Sequence, residues 1–204
     1  TISKGVPRYS HLMKKEIKGL KIGMSQEFEA MCSDKKIYRR ISATAQEFAA
    51  TTKSSIKQIK LPYVDFVIQT YYPIVYVEFF SGTRKFDGRK YGKKIEEVCG
   101  EEVLRRILGG REISRAEYRG EYYRKALVAR KMIARGFDKA FKEVDVIISP
   151  TTPMLPHKLR TKITDPRVMY AYDAFTIPAN LAGICAGVVP AGKIDEIPVG
   201  LQVM

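Results

Sequence analysis

Tryptophan is absent from the 204 residues, histidine occurs twice and cysteine three times. Cys32, Cys99 and Cys185 lie far apart and form no Cys-x-x-Cys pair. That spacing supports neither a disulfide framework nor a zinc-type ligand set, and a sparse, odd count fits reduced thiols in a cytosolic protein. His11 and His157 stand alone, which leaves a Ser–His or Cys–His catalytic pair poorly motivated. No apolar run reaches the length of a membrane span. The opening residues, TISKGVPRYSHLMKKEIKG, lack both the apolar core and the cleavage pattern of a signal peptide. They also lack an initiator Met, and the final IPVGLQVM stops inside a strand-like run. Both ends read as cut, so the sequence is expected to be a piece of a longer chain, with an exposed apolar face where the rest would pack.

What is present is an ordinary globular composition, 45% hydrophobic, with a marked excess of positive charge: 36 Lys and Arg against 22 Asp and Glu, a net charge of +14. A basic balance favours an acidic partner, RNA being the common one. A lysine-rich solvated surface, or a basic face that docks on an acidic partner protein, explains it equally well. The charge is concentrated in RKFDGRKYGKK (84–94), with six Lys/Arg and one Asp. No RNA-binding motif or aromatic stacking signature accompanies it.

Periodicity orders the chain. LKIGMS (20–25) reads as a short strand, 33–52 as a helix capped by Ser33 or Asp34, and 55–62 as a strand ended by Pro62. The evenly apolar 64–82 reads as a buried helix, kinked or restarted at Pro73. Asp65, Glu78 and three tyrosines argue against a membrane helix there. EEVLRRILGG (101–110) reads as a short helix with acids in its first turn and glycine at its end. SRAE (114–117) has the capping-box pattern and opens a predicted helix to about residue 143. Tyr118, Tyr122, Ala126, Ile133, Phe137 and Phe141 fall on one face of it. VDVIISPTTP (144–153) is an apolar strand with a Pro-punctuated loop, and 186–192 and 199–204 are strands joined by a polar turn at KIDE. The predicted fold class is α/β: a mixed β-sheet covered by helices, one domain or part of one over residues 1–204.

Four segments in order, VDVIISPTTP, DAFTIPANLAG, VVPAG and IPVGLQVM, resemble the C-terminal half of the amidase-signature family. The combination is specific although each segment alone is weak. FDGRKYG (86–92), LRRILGG (104–110) and EYYRKALVARKMI (121–133) are similar to the glutaminase subunits of tRNA-dependent amidotransferases within that family, and the likeness is loosest over 26–60. One departure is Ile184–Cys185 after NLAG, where such relatives continue with Leu-Pro; Cys185 is expected to be a small buried thiol.

The resemblance implies a Ser–cis-Ser–Lys triad in a Gly/Ser-rich segment N-terminal to everything present here. No such run occurs in this sequence, and Ser54–Ser55 lack the flanking glycines, so no catalytic residue is assigned and the chain alone is expected to be inactive. What the resemblance places here is a substrate clamp. Glutamine carries an α-ammonium and an α-carboxylate beside its reactive amide, and a site that selects it needs an anion and a cation at a fixed spacing. Motif by motif, the ammonium site falls on Asp173, the carboxylate site on Arg106 and the pocket-lining tyrosine on Tyr71. Arg offers a planar fork for a carboxylate and Asp accepts from an ammonium. Each has a plainer alternative: a helix cap or local ion pair for Asp173, a surface Arg with Arg105 as rival, and core packing with Tyr72 as rival.

As implied by the resemblance, the whole enzyme would hydrolyse glutamine and pass ammonia on for conversion of Glu-tRNA(Gln) to Gln-tRNA(Gln). No cofactor or metal is expected in this chain; ATP and Mg²⁺ are expected in the partner subunit. The expected partners are glutamine, the amidotransferase B and C subunits and, through them, tRNA(Gln), in the cytoplasm and off the membrane. The competing readings are a stand-alone amidase of small amides and an inactive basic interaction or RNA-binding module.

Overall fold

Apolar strands alternate with amphipathic helices, and burying the apolar side of each produces a single mixed sheet with helices over it. The computed structural model describes residues 16–115 and 119–204, together with residue 10. In chain order its strands are β1 (Lys21–Ser25), β2 (Ser55–Ile59), β3 (Val146–Pro150), β4 (Gly187–Ile194) and β5 (Ile197–Val203). The sheet runs β2-β1-β3-β5-β4. β1 is parallel to both β2 and β3, whereas β5 is antiparallel to β3 and to β4. The mixed α/β architecture expected from the sequence is the one found.

Between β1 and β2 lie α1 (Gln26–Met31) and α2 (Lys35–Thr52). Asp34 caps α2 by accepting from the Lys36 amide, which settles the choice between Ser33 and Asp34. Ile37, Ile41 and Ala45 recur at helical spacing and are buried against the sheet with Ile22 and Ile147. Each fully buried Ile of this kind stabilises the fold by roughly 1.5–3 kcal/mol. β2 ends at Ile59, earlier than the 55–62 expected, where its partner ends: Ile59 pairs with Ser25, the last residue of β1.

Between β2 and β3 stand α3 (Val67–Thr83), α4 (Ile95–Val98), α5 (Glu101–Ile113) and α6 (Glu121–Ala140), with a 3-10 turn at Val64–Phe66 before α3. α3 runs through Pro73 without a break and packs against both α5 and α6. Two expectations are corrected here. Gly109 and Gly110 lie inside α5 and do not end it. A Cβ on Gly109 would come within 2.6 Å of the Tyr76 ring, and one on Gly110 within 2.6 Å of Phe80 Cβ. The glycines let α3 and α5 approach closely. Ser114 closes α5, its hydroxyl donating to the Gly110 carbonyl at 2.7 Å, and α6 begins at Glu121 behind Gly120. The far end of the expected capping box, and Tyr118, lie outside the described residues. Ala126, Ile133 and Phe137 are buried on α6 as the periodicity required, whereas Tyr122 is exposed.

After β3 come α7 (Pro166–Ala171), a 3-10 turn (Tyr172–Phe175) and α8 (Ile177–Ala182). The β4–β5 hairpin turns at Asp195 and Glu196, both left-handed at φ 47° and 62°, as a two-residue hairpin requires. β4 is an edge strand on which Val188 and Val189 are half exposed. Cys185, just before it, is exposed and not buried as expected; the buried thiol is Cys32, which donates to the Asp34 carbonyl at 3.2 Å. Among the described residues no helix is long and apolar enough to cross a membrane.

Candidate substrate-recognition site

Residues more than ninety positions apart meet where α3, α5 and the α7–α8 segment converge. Tyr72 faces inward from α3 and is buried. Its hydroxyl donates to Asp173 Oδ2 at 2.7 Å. Its ring stacks on Tyr170, centroids 3.9 Å apart. Tyr170 in turn reaches α5: its hydroxyl lies 3.3 Å from Glu102 Oε1 and 2.5 Å from the Tyr76 hydroxyl. Glu102 then accepts from Arg106 Nε at 3.0 Å and, through its other oxygen, from Arg105 Nη1 at 2.7 Å. The result is a continuous chain of contacts from Asp173 to Arg106.

The local backbone explains why Asp173 is available. It lies in the 3-10 turn, where Ala174 and Phe175 point inward and Asp173 is half-buried. Its carbonyl accepts from the Thr176 amide, which fixes the turn. The buried amide of Gln202, on β5, donates to the Phe175 carbonyl at 2.7 Å and to Ser149 Oγ on β3 at 3.0 Å. The turn is thereby tied to the sheet, and the Gln of the PVGLQ run acquires a physical role. Buried polar groups are expensive unless bonded, so these partners are a condition of the geometry.

Asp173 holds a carboxylate with one oxygen occupied by Tyr72; among the described residues Oδ1 has no partner and no cation pairs with the group. A hydroxyl donor steadies a carboxylate without cancelling its charge. Burial first, then the bond to Asp173 and its charge, push the Tyr72 phenol far above its ordinary range, against a smaller opposing pull from Arg106. Both Asp173 and Arg106 are therefore within electrostatic reach of one hydroxyl. For Arg106 burial opposes the charge, yet Glu102 together with Tyr72 and Tyr170 outweighs it, and the guanidinium is held more firmly cationic than usual.

The structure thus brings Arg106 and Asp173 to the same aromatic cluster, and no ion pair joins them among the described residues. Tyr71 stands one step aside, edge-on to Tyr72 with centroids 5.4 Å apart. It is Tyr72 that bonds the carboxylate. Arg105 and Arg106 diverge: Arg105 lines an open groove of about 710 Å³ with Tyr76, Leu108, Pro166 and Tyr170, and Arg106 does not. Three participants escaped the sequence reading, namely Glu102, Tyr76 and Tyr170. Glu102 precedes Arg106 by four residues, a spacing that puts carboxylate and guanidinium side by side on a helix and was legible in principle.

Two of the cations in the basic run 84–94 are paired internally, Arg84 with Glu96 at 2.7 Å and Lys94 with Glu97 at 3.8 Å. Among the described residues no group of three or more His, Cys, Asp or Glu is placed to hold a metal ion.

A family model described as Amidase matches residues 2–204. In Methanocaldococcus jannaschii the A subunit of glutamyl-tRNA(Gln) amidotransferase is 52% identical over 190 residues, 93% of this chain and 43% of that protein. Its counterpart from Methanococcus vannielii is 47% identical over 203 residues, 100% of this chain and 46% of that protein. The chain therefore spans less than half the length of these relatives. Among solved structures, the same subunit from Thermotoga maritima is similar with a TM-score of 0.71 and 30% identity, over 92% of this chain and 39% of that one. A bacterial aryl acylamidase shares the fold at a TM-score of 0.76 with 15% identity, over 96% of this chain and 41% of that one. A match along nearly every residue, on a mixed sheet of this order, leads to one conclusion: the chain belongs to the amidase family.

Proposed function

We propose that this chain is the glutamine-recognising part of the glutaminase subunit of a glutamyl-tRNA(Gln) amidotransferase. The observation that carries the reading is the pair of unlike charges, Arg106 and Asp173, held beside one tyrosine stack without neutralising each other. An α-amino acid carries the two opposite charges. Its ammonium would bind the open oxygen of Asp173 and its carboxylate the Nη edge of Arg106, with Tyr71 lining the pocket nearby. A site for simple amides has no use for such a pair.

The rest of the proposal follows the family resemblance. In the assembled enzyme, meaning this chain completed by the portion of its longer relatives that it does not cover, a serine of the Ser–cis-Ser–Lys triad would attack the glutamine amide. An acyl-serine would form, ammonia would leave, and water would release glutamate. The ammonia would serve the B and C subunits, where ATP and Mg²⁺ activate Glu-tRNA(Gln), in the cytoplasm. The clamp residues do no bond-making; they hold the amide in attack geometry. The chain by itself should release no ammonia from glutamine.

The test compares ammonia release from glutamine and from butanamide by the assembled enzyme. Strong preference for glutamine, erased by Arg106→Met combined with Asp173→Asn, supports the reading. Equal use of both amides, unaffected by those substitutions, would instead identify an amidase of small amides.

A further inference from the structure

We infer that Glu102 is a positioning residue for glutamine, holding the Arg106 guanidinium so that only its outer edge meets the substrate carboxylate. The inference rests on the glutamine-recognition reading above and adds to it a group that the clamp assignment did not contain.

The geometry is specific. Glu102 and Arg106 sit one helical turn apart on α5, and the contact is made through Nε at 3.0 Å. A guanidinium can clasp a carboxylate along its side, through Nε and one Nη, or at its end, through both Nη atoms. With Nε taken by Glu102 the side-on mode is closed. Neither Nη of Arg106 has a partner among the described residues, so the end-on fork stays open.

Neutralisation is the obvious objection, and the local charge count answers it. Glu102 is shared between two guanidiniums, Arg105 on Oε2 and Arg106 on Oε1. Two cations against one carboxylate leave one net positive charge to receive an anion. Tyr170 completes the arrangement. A carboxylate only accepts, so the Tyr170 hydroxyl donates to Glu102 Oε1 and Tyr76 donates to Tyr170. Glu102 is thereby tied to the same ring that stacks on Tyr72. An unanchored Arg would have to freeze its long side chain on each binding event; this one is ordered beforehand.

The experiment uses the assembled enzyme and two substrates, glutamine and 4-aminobutanamide, which keeps the ammonium and the amide but lacks the α-carboxylate. Glu102→Leu should raise KM for glutamine on the order of tenfold with kcat little changed. The loss on 4-aminobutanamide should be much smaller, since that substrate never engages Arg106. Glu102→Gln keeps an acceptor for Nε and should restore most of the loss. A lower KM for glutamine in Glu102→Leu would mean that Glu102 competes with substrate, which overturns the inference. An equal loss on both substrates would mean that Glu102 only supports the fold, which overturns it too. Arg106→Met serves as control: if it leaves the preference for glutamine over 4-aminobutanamide intact, the clamp reading itself fails and the positioning role falls with it.

Discussion

The two ends of the candidate site are built on opposite terms. At the Asp173 end the charge is left uncompensated and is held by a neutral donor, the buried hydroxyl of Tyr72, on a turn anchored to the sheet through Gln202. At the Arg106 end the charge is compensated in part by Glu102, and the side chain is about one-third exposed on a helix surface. Both residues are half-buried, and the supporting partner makes the difference. A carboxylate against an aromatic stack cannot be paired permanently and still receive an ammonium, so a phenol that stays protonated is the suitable support. A half-buried guanidinium on a long, flexible side chain would wander without an anchor. Tight fixing of a bare charge and loose fixing of a paired one are two ways to the same preorganisation.

Substitutions at each end should break this symmetry differently. The largest loss is expected for Arg106→Met, which removes two hydrogen bonds to the substrate carboxylate at once. A deficit of roughly 3 kcal/mol, about a hundredfold in kcat/KM for glutamine, should appear in steady-state ammonia release. Tyr72→Phe removes only the support of the carboxylate and should cost about 1.5 kcal/mol, roughly tenfold by the same assay. Tyr71→Phe should change it less than about twofold, because among the described residues no hydrogen bond from Tyr71 enters the cluster. If the two tyrosines gave the reverse ranking, the phenol that matters would be Tyr71.

The smallest effect is a pH dependence. The Tyr72 pKa is raised above its unfolded value of 10.0, so its contribution to stability is full below that value and is lost as pH rises toward the folded one. Urea unfolding of the assembled enzyme at about pH 8 and about pH 11 should show a loss of stability, and Tyr72→Phe should show a smaller one. Equal slopes would indicate that Tyr72 is not held protonated by its surroundings.

Much of the fold was legible because it rests on local rules. The period of α2, its cap at Ser33 or Asp34, the apolar β3 and a polar turn between the last two strands follow from residues next to one another. The errors came where a distant element overrode a local signal. Gly109 and Gly110 looked like a helix end, yet α3 presses on them from outside. Ser114 looked like the start of a helix, yet it finishes the preceding one. The clamp shows the same division. Asp173 and Arg106 were singled out by the family resemblance, and the structure brings both to one aromatic cluster. Which of Tyr71 and Tyr72 bonds Asp173 was not readable, because it depends on which face of α3 meets a residue 101 positions away. Glu102 lay in between, visible as a helical i, i+4 partner but given meaning only by the stack it joins.

The most direct test of the proposed function supplies the assembled enzyme with either glutamine or free ammonia and measures amidation of Glu-tRNA(Gln) by Asp173→Asn. That substitution removes the charge with little change in shape. Losing one charge-assisted contact of about 1.5–3 kcal/mol should lower glutamine-supported amidation roughly tenfold to a hundredfold. Ammonia-supported amidation should match the parent enzyme, because it bypasses the clamp. Normal use of glutamine by Asp173→Asn, or an equal defect with both nitrogen sources, would contradict the role given to this carboxylate.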